Sequence, residues 1–499
     1  MSMVDAAASE TPDVVPGRRR EVMVVLPGLL LAILLAMLDN MIVGTALPKI
    51  VGQLGGLDSI SWVVTAYVLG TTVSTPLWGK IGDLYGRKNI FITSIVVFLI
   101  GSVLTGASQT MAQLIGFRAL QGLGGALFAP AALSILMTTF AEGAERNRAL
   151  GIWGAASGSG GAAGVLLGGV LTSYLSWPWV FFINVPVGLA VIAAAPAVLQ
   201  ESRGQHKHRH FDVAGATSVT AGVMLLVYAM TRATQEGWSS FGTLGLLAAS
   251  AALLAAFVAI ELRSPAPLLP MRIFRLRSLS AANAVATMVG AVAFSQFFLL
   301  TLYMQGVLGY SAVETGVGFA AVTLTIIVFS NVAQRLVTRY GVRSVLTTGL
   351  TLDAVAMVLF TRLPVDGVYF WDLFPGLIVS GVGMALSFVP MTIAGLTGVR
   401  REDAGIASGL INTSRQVGGA IGLAAVTTIV ASYTSASTGS GLAAVDGELV
   451  NGFQAGFLVL AGMALLGAVL SGALLGQRGT SADVEPLNTD NRRALEEAA

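Results

Sequence analysis

Cysteine is absent from the 499 residues, which excludes disulfides, thiolate catalysis and cysteine metal sites and leaves the redox compartment undecided. Histidine occurs three times, at alternate positions of the polar run ESRGQHKHRH. Alternate positions on a loop fix no ligand geometry, and no carboxylate or thiol stands at ligand spacing, so this run reads as a solvated linker and no metal is expected. Charge is scarce as well: 11% of residues are charged against roughly 25% in an average soluble domain. A net charge of +2 is too small to argue for a nucleic-acid partner. The glycine-rich stretch 151–169 has no P-loop lysine and no preceding strand, and no other ATP-binding motif occurs. An enzyme would need a clustered His, Cys or carboxylate constellation, and none is visible.

What fills the chain instead is apolar sequence, 55% of residues, with 60 glycines that suit closely packed membrane helices. The expected surroundings are a lipid bilayer. At about 20 apolar residues per crossing, fourteen spans are expected, near 22–46, 60–80, 89–107, 112–138, 147–174, 179–199, 213–232, 241–262, 280–305, 313–336, 342–361, 370–393, 404–433 and 453–475. The polar start ending in Arg18, Arg19 and Arg20 leads into an apolar stretch without a cleavage site, which reads as an uncleaved first span. With both ends cytoplasmic, every Lys and Arg falls on the inner side except Lys49, Arg232 and Arg362 outside and Arg118 and Arg415 within spans. That is the positive-inside pattern, and an odd span count would spoil it.

An internal repeat orders the spans. Tyr85-Gly86 matches Tyr340-Gly341 at an offset of 255, and Gly151-Ile152 matches Gly405-Ile406 at an offset of 254, which sets Gly164 on Gly418. Two equivalent six-helix halves follow, with a binding site expected between them at the midplane. The expected divisions are a tail over 1–21, a first half over 22–199, a linker over 200–279 carrying two inserted spans, a second half over 280–475 and a tail over 476–499.

Ionisable residues within spans are the candidates for chemistry, because each costs roughly 2.5–3.5 kcal/mol at the bilayer centre. Asp39 in span 1 and Arg118 in span 4 lie ~12 Å and ~9 Å below the outer ends of their helices at 1.5 Å per residue, so they can meet. Asp39 either binds and releases a proton under the influence of Arg118 or forms a static tie between helices. Asp353 in span 11 is a second buried carboxylate, a proton or cation site or a harmless neighbour of a polar group. Arg415 in span 13 takes the repeat position of Gly161, as a fixed charge at the cavity or a tie to carbonyls at a helix crossing. Asn40, Met41, Tyr67, Gln121, Trp153, Gln296, Tyr303, Gln305, Asn412 and Gln416 complete the candidate substrate lining with Arg415, each also open to ordinary packing.

LDNMIVGTALP (38–48), GKIGDLYGRK (79–88) and IGFRALQGLGGA (115–126) together resemble, in order and at the right spans, the signatures of the major facilitator superfamily, specifically its fourteen-span drug:H+ antiporter group. WVFFINVPVG (179–188), YMQGVLGYSAVETG (303–316) and ASGLINTSRQVGGAIG (407–422) extend the resemblance over nearly the whole chain. Two positions depart: Gly164-Val165 stands where exporters usually carry Gly-Pro, and Pro178 replaces a common arginine.

The resemblance implies an all-helical membrane fold of six, two and six spans, with Asp39 and Arg118 in proton coupling. It implies a gate at the turn after span 2, with Gly79, Asp83, Gly86, Arg87 and Lys88, where Asp83 would face the start of span 13 near Ala404. Gly164 and Gly168 in span 5 would form a sliding surface between the halves. The function implied is proton-driven efflux of amphipathic small molecules by a monomer at the cytoplasmic membrane. No cofactor is expected, the proton gradient being the energy source. An exporter of one metabolite or lipid stands as the alternative, and Val165 in place of the usual proline leaves a facilitator or importer of the same fold open as well.

Overall fold

The computed structural model describes residues 86–140, 166–198, 212–264, 267–400, 403–434 and 442–475 continuously, and scattered positions over 31–81 and 149–164. All regular structure among them is helical. The helices are α1 (Arg87–Gly106), α2 (Met111–Thr139), α3 (Trp179–Phe182), α4 (Asn184–Val198), α5 (Val213–Glu236), α6 (Phe241–Arg263), α7 (Arg277–Leu302), α8 (Ala312–Phe360), α9 (Phe374–Leu396), α10 (Ala404–Thr434) and α11 (Leu442–Leu474). Eight helices among the described residues are long and apolar enough to cross a membrane.

Local chemistry sets the ends. Thr110, Asp212 and Ser240 cap α2, α5 and α6 by accepting from the backbone N–H three residues on, and Ser311 with Glu314 forms a full capping box at the start of α8. The sequence leads one to expect a single helix from 179, but the structure interrupts it at Ile183 between α3 and α4. Pro186 supplies the reason, since it has no N–H to donate to the carbonyl four residues back. The apolar run Val313–Phe360 would be about 72 Å long if straight, more than twice the hydrocarbon core. It breaks at Gly341, where φ is 81° and ψ 160°, a conformation that side-chain-bearing residues rarely adopt. Gly86, its repeat partner, also has a positive φ of 106°, so the two turns share their backbone geometry as well as their sequence.

Glycines let the site helices approach backbone to backbone. A Cβ on Gly101 of α1 would stand 2.6 Å from Cα of Gln121 in α2, and one on Gly122 would strike the Tyr67 carbonyl of span 2. In the second half, Gly290 of α7 lies against the Arg415 carbonyl, and Gly418 of α10 lies against the Thr287 carbonyl. Among the described spans the most enclosed is Tyr369–Leu396, 83% buried, whereas the Phe241–Arg263 span is 17% buried and presents most of its apolar surface outward.

Helices α5 and α6 pack on one another, with the Ser250 hydroxyl donating to the Gly222 carbonyl at 2.7 Å. Towards their connecting turn they touch segments far apart in the chain. Tyr228 lies 5.3 Å, ring centre to ring centre, from Trp62 of span 2. The Trp238 indole donates to the Thr428 hydroxyl of α10 at 2.9 Å.

Candidate functional site

Asp39 and Arg118 meet. Nη1 of Arg118 donates to Oδ2 of Asp39 at 2.8 Å, with the two side chains 1% and 0% exposed. A pair this deep offsets its desolvation only when its remaining polar capacity is used. The other carboxylate oxygen, Oδ1, accepts from Nε2 of Gln121 at 2.8 Å and from Nδ2 of Asn184 at 2.9 Å. Arg118 also donates to Oε1 of Gln121 at 2.7 Å and to the Val63 carbonyl at 3.2 Å. Its guanidinium lies over the Tyr67 ring, 4.1 Å from the centroid, a contact worth about 0.5–2 kcal/mol.

Ser102 completes the cluster. Its Oγ accepts from both amides, Gln121 at 3.0 Å and Asn184 at 2.9 Å, and donates to the Phe181 carbonyl at 2.9 Å. Five separate segments of the chain, those of Asp39, Tyr67, Ser102, Arg118 and Asn184, thus converge around one carboxylate. One atom of the cluster is left over: Oδ1 of Asn184 is buried without a hydrogen-bond partner, at a cost of about 1–3 kcal/mol.

From this cluster a line of side chains runs to the second half. Tyr67 covers Arg118, and Thr71, one turn further along the same helix, donates to Oε1 of Gln416 in α10 at 2.9 Å. Next to Gln416, Arg415 donates to Oδ1 of Asn412 at 2.9 Å and lies 5.7 Å from the Phe388 ring centre. The structure therefore brings Tyr67 and Gln121 together with Asp39 and Arg118, sets Gln416 against Thr71, and pairs Arg415 with Asn412.

Other candidates lie apart. Asp353 is buried in the second half, where the Ser387 hydroxyl donates to Oδ2 at 3.2 Å while Oδ1 has no hydrogen-bond partner. No basic side chain pairs with it among the described residues. Gln296 is fully buried and exchanges hydrogen bonds with Ser380 of α9 at 2.6 and 2.9 Å, which makes it a tie between α7 and α9. Tyr303 packs against Phe453 and donates to the Pro364 carbonyl at 2.6 Å. Gln305 sits in the π-helical turn Tyr303–Val307 that ends its span, and Trp153 is buried in the apolar core.

Gly86 precedes α1, Lys88 lies in its first turn, and Gly164 and Gly168 are buried helical positions. Asn40, Met41, Gly79, Asp83, Val165 and the 201–210 linker fall outside the described residues, as does the side chain of Arg87. No group of three or more His, Cys, Asp or Glu able to hold a metal occurs among the described residues.

Residues 29–423 match the family profile described as Major Facilitator Superfamily. The chain belongs to that superfamily. It is a transport protein of the cell membrane and not an enzyme. It is 36% identical over 488 residues to the puromycin resistance protein pur8 of Streptomyces alboniger, covering 96% of this chain and 95% of that protein. Over 444 residues it is also 36% identical to the cephamycin export protein CmcT of Amycolatopsis lactamdurans, covering 88% and 90%. The crystal structure of the human organic anion transporter MFSD10 superposes with a TM-score of 0.63 at 16% identity, covering 91% of this chain and all of that one, a likeness of fold.

Within this superfamily member, Asn184 and Ser102 are the site residues that sequence reasoning passes over. One amide and one hydroxyl in apolar spans cost too little to stand out as Asp39 does. The available signal was the interrupted run FFINVP, where Pro186 fixes the start of α4 and so the placement of Asn184.

Proposed function

We propose that this transporter exports amphipathic drugs or antibiotics by proton antiport, with Asp39 as the proton carrier and Arg118 as its partner. The observation that carries the proposal is the Asp39–Arg118 pair, an acid and a base enclosed in one half and joined through Tyr67, Thr71 and Gln416 to the other. The proton gradient supplies the energy, and the transporter works as a monomer of fourteen spans arranged six, two and six, with both ends cytoplasmic. Its substrate contacts the groups where the halves meet, Gln416, Arg415 and Asn412 foremost. Asp353 is a second, independent proton site. The names of the relatives, a puromycin resistance protein and a cephamycin export protein, support export as the direction.

The test is reconstitution in liposomes under an imposed pH gradient, with lipophilic dyes and puromycin as cargo and proton flux recorded in parallel. Cargo and protons should move in opposite directions, and Asp39→Asn should abolish gradient-driven movement while still inserting. Cargo movement without proton flux would make the protein a facilitator. The two relatives are each named for one antibiotic, which favours a narrow-range exporter as the second reading, and the breadth of the cargo screen separates the two.

A further inference from the structure

Asp39 is surrounded by donors. Arg118, Gln121 and Asn184 all direct N–H groups at its two oxygens, an arrangement suited to the ionised carboxylate alone. When Asp39 takes up a proton, one oxygen becomes a donor and needs an acceptor where an N–H now stands. The two ends of a side-chain amide are nearly alike in size but opposite in sense, the oxygen accepting and the NH2 donating, so either amide at Oδ1 could answer by turning over.

The surroundings choose between them. Gln121 is engaged at both ends, its Nε2 with Asp39 and Ser102 and its Oε1 with Arg118. Turning it would aim an N–H at the guanidinium. Asn184 is engaged at Nδ2 only, and its fully buried carbonyl oxygen has no partner. Turning Asn184 gives up nothing at that end.

We propose that Asn184 is a positioning residue whose amide turns over with the protonation of Asp39, donating to the carboxylate and accepting from the carboxylic acid. The inference rests on Asp39 being the proton carrier. In the ionised state, Nδ2 of Asn184 donates to Oδ1 of Asp39. As the proton arrives on that oxygen, rotation about the Cβ–Cγ bond of Asn184 exchanges its Nδ2 and Oδ1, and the new Asp39 O–H donates to the amide carbonyl. Ser102 can follow by turning its hydroxyl from the Phe181 carbonyl to the same acceptor. Arg118, whose attraction to Asp39 falls, keeps Oε1 of Gln121 and the Val63 carbonyl. The charged and titratable groups facing Asp39 are Arg118 of α2 and the Tyr67 phenol of span 2, while α1 and α4 contribute the neutral Ser102 and Asn184. The proton thus remains on Asp39 and its partner changes polarity.

Infrared difference spectroscopy of the full-length protein in lipid, between high and low pH, reads this directly. Acidification should produce a protonated-carboxyl band that Asp39→Asn removes, with a simultaneous side-chain amide carbonyl shift that moves on 13C labelling of asparagine and is missing in Asn184→Val. In liposomes, Asn184→Thr, whose hydroxyl both donates and accepts, should retain gradient-driven transport. Asn184→Val, of nearly the same size, should lose about tenfold in gradient-driven transport relative to it. An Asp39 band with no accompanying asparagine shift, or equal gradient-driven rates in the Thr and Val variants, overturns the amide switch and leaves Asp39 as carrier. The absence of any Asp39 band overturns the carrier assignment and the switch together. Asn184→Thr removes the same amide carbonyl, so loss of the shift in that variant assigns the band even where Asn184→Val does not fold.

Discussion

The Arg118 guanidinium and the Asp39 carboxylate stand 2.8 Å apart with almost no exposure, so each is the other's compensation for lost water. Removing one partner strands a buried charge, a loss of about 3–5 kcal/mol. Asp39→Asn and Arg118→Gln should each lower the unfolding temperature in detergent, and the double variant should recover much of that loss. Gradient-driven transport should remain absent in all three. A double variant no more stable than either single one would show that the pair does not compensate in this way.

The Thr71–Gln416 hydrogen bond links the helix of Thr71 to α10 at 2.9 Å. Because the chain has no cysteine, Thr71→Cys with Gln416→Cys introduces its only thiols. A short thiol-reactive linker should join them and stop transport, and a reductant should restore it. Full transport by the linked protein would mean that these helices do not part during the cycle.

Glycine substitutions should sort by what a methyl group would meet. Gly418→Ala places a Cβ against the Thr287 carbonyl and should reduce folded protein and transport sharply, whereas Gly116→Ala, with nothing within 4 Å, should be close to neutral. Fluorescence-detected size exclusion of both variants checks this.

Asp353 and Asp39 differ in company. Asp353 has one serine hydroxyl and no basic partner among the described residues, so Asp353→Asn strands no counter-charge. Its unfolding temperature should stay near wild type, in contrast to Asp39→Asn. If Asp353 is a second proton site, the number of protons moved per substrate should fall in this variant, which a stoichiometry measurement in liposomes reads.

The sequence makes the helical membrane architecture legible because apolar runs of membrane-crossing length have few other uses. Asp39 and Arg118 were legible for the same physical reason, since a charge inside such a run is conspicuous. Gln296 and Tyr303 look like cavity residues in the sequence, yet the structure spends them on Ser380 and the Pro364 carbonyl. A neutral polar group does not announce which face of its helix it occupies. Asn184 and Ser102 show the converse: their importance comes from the convergence of α4 and α1 on span 1, which no local pattern records. Pro186 marked the place, but what the proline positions depends on packing between distant segments.

The hairpin of α5 and α6 is fastened near its turn to Trp62 on one side and to Thr428 on the other. Any rocking that separates span 2 from α10 must lengthen one fastening or carry the hairpin along with a single half. The hairpin thus bridges two helices far apart in the chain, and a change in their separation is felt first at its two attachments.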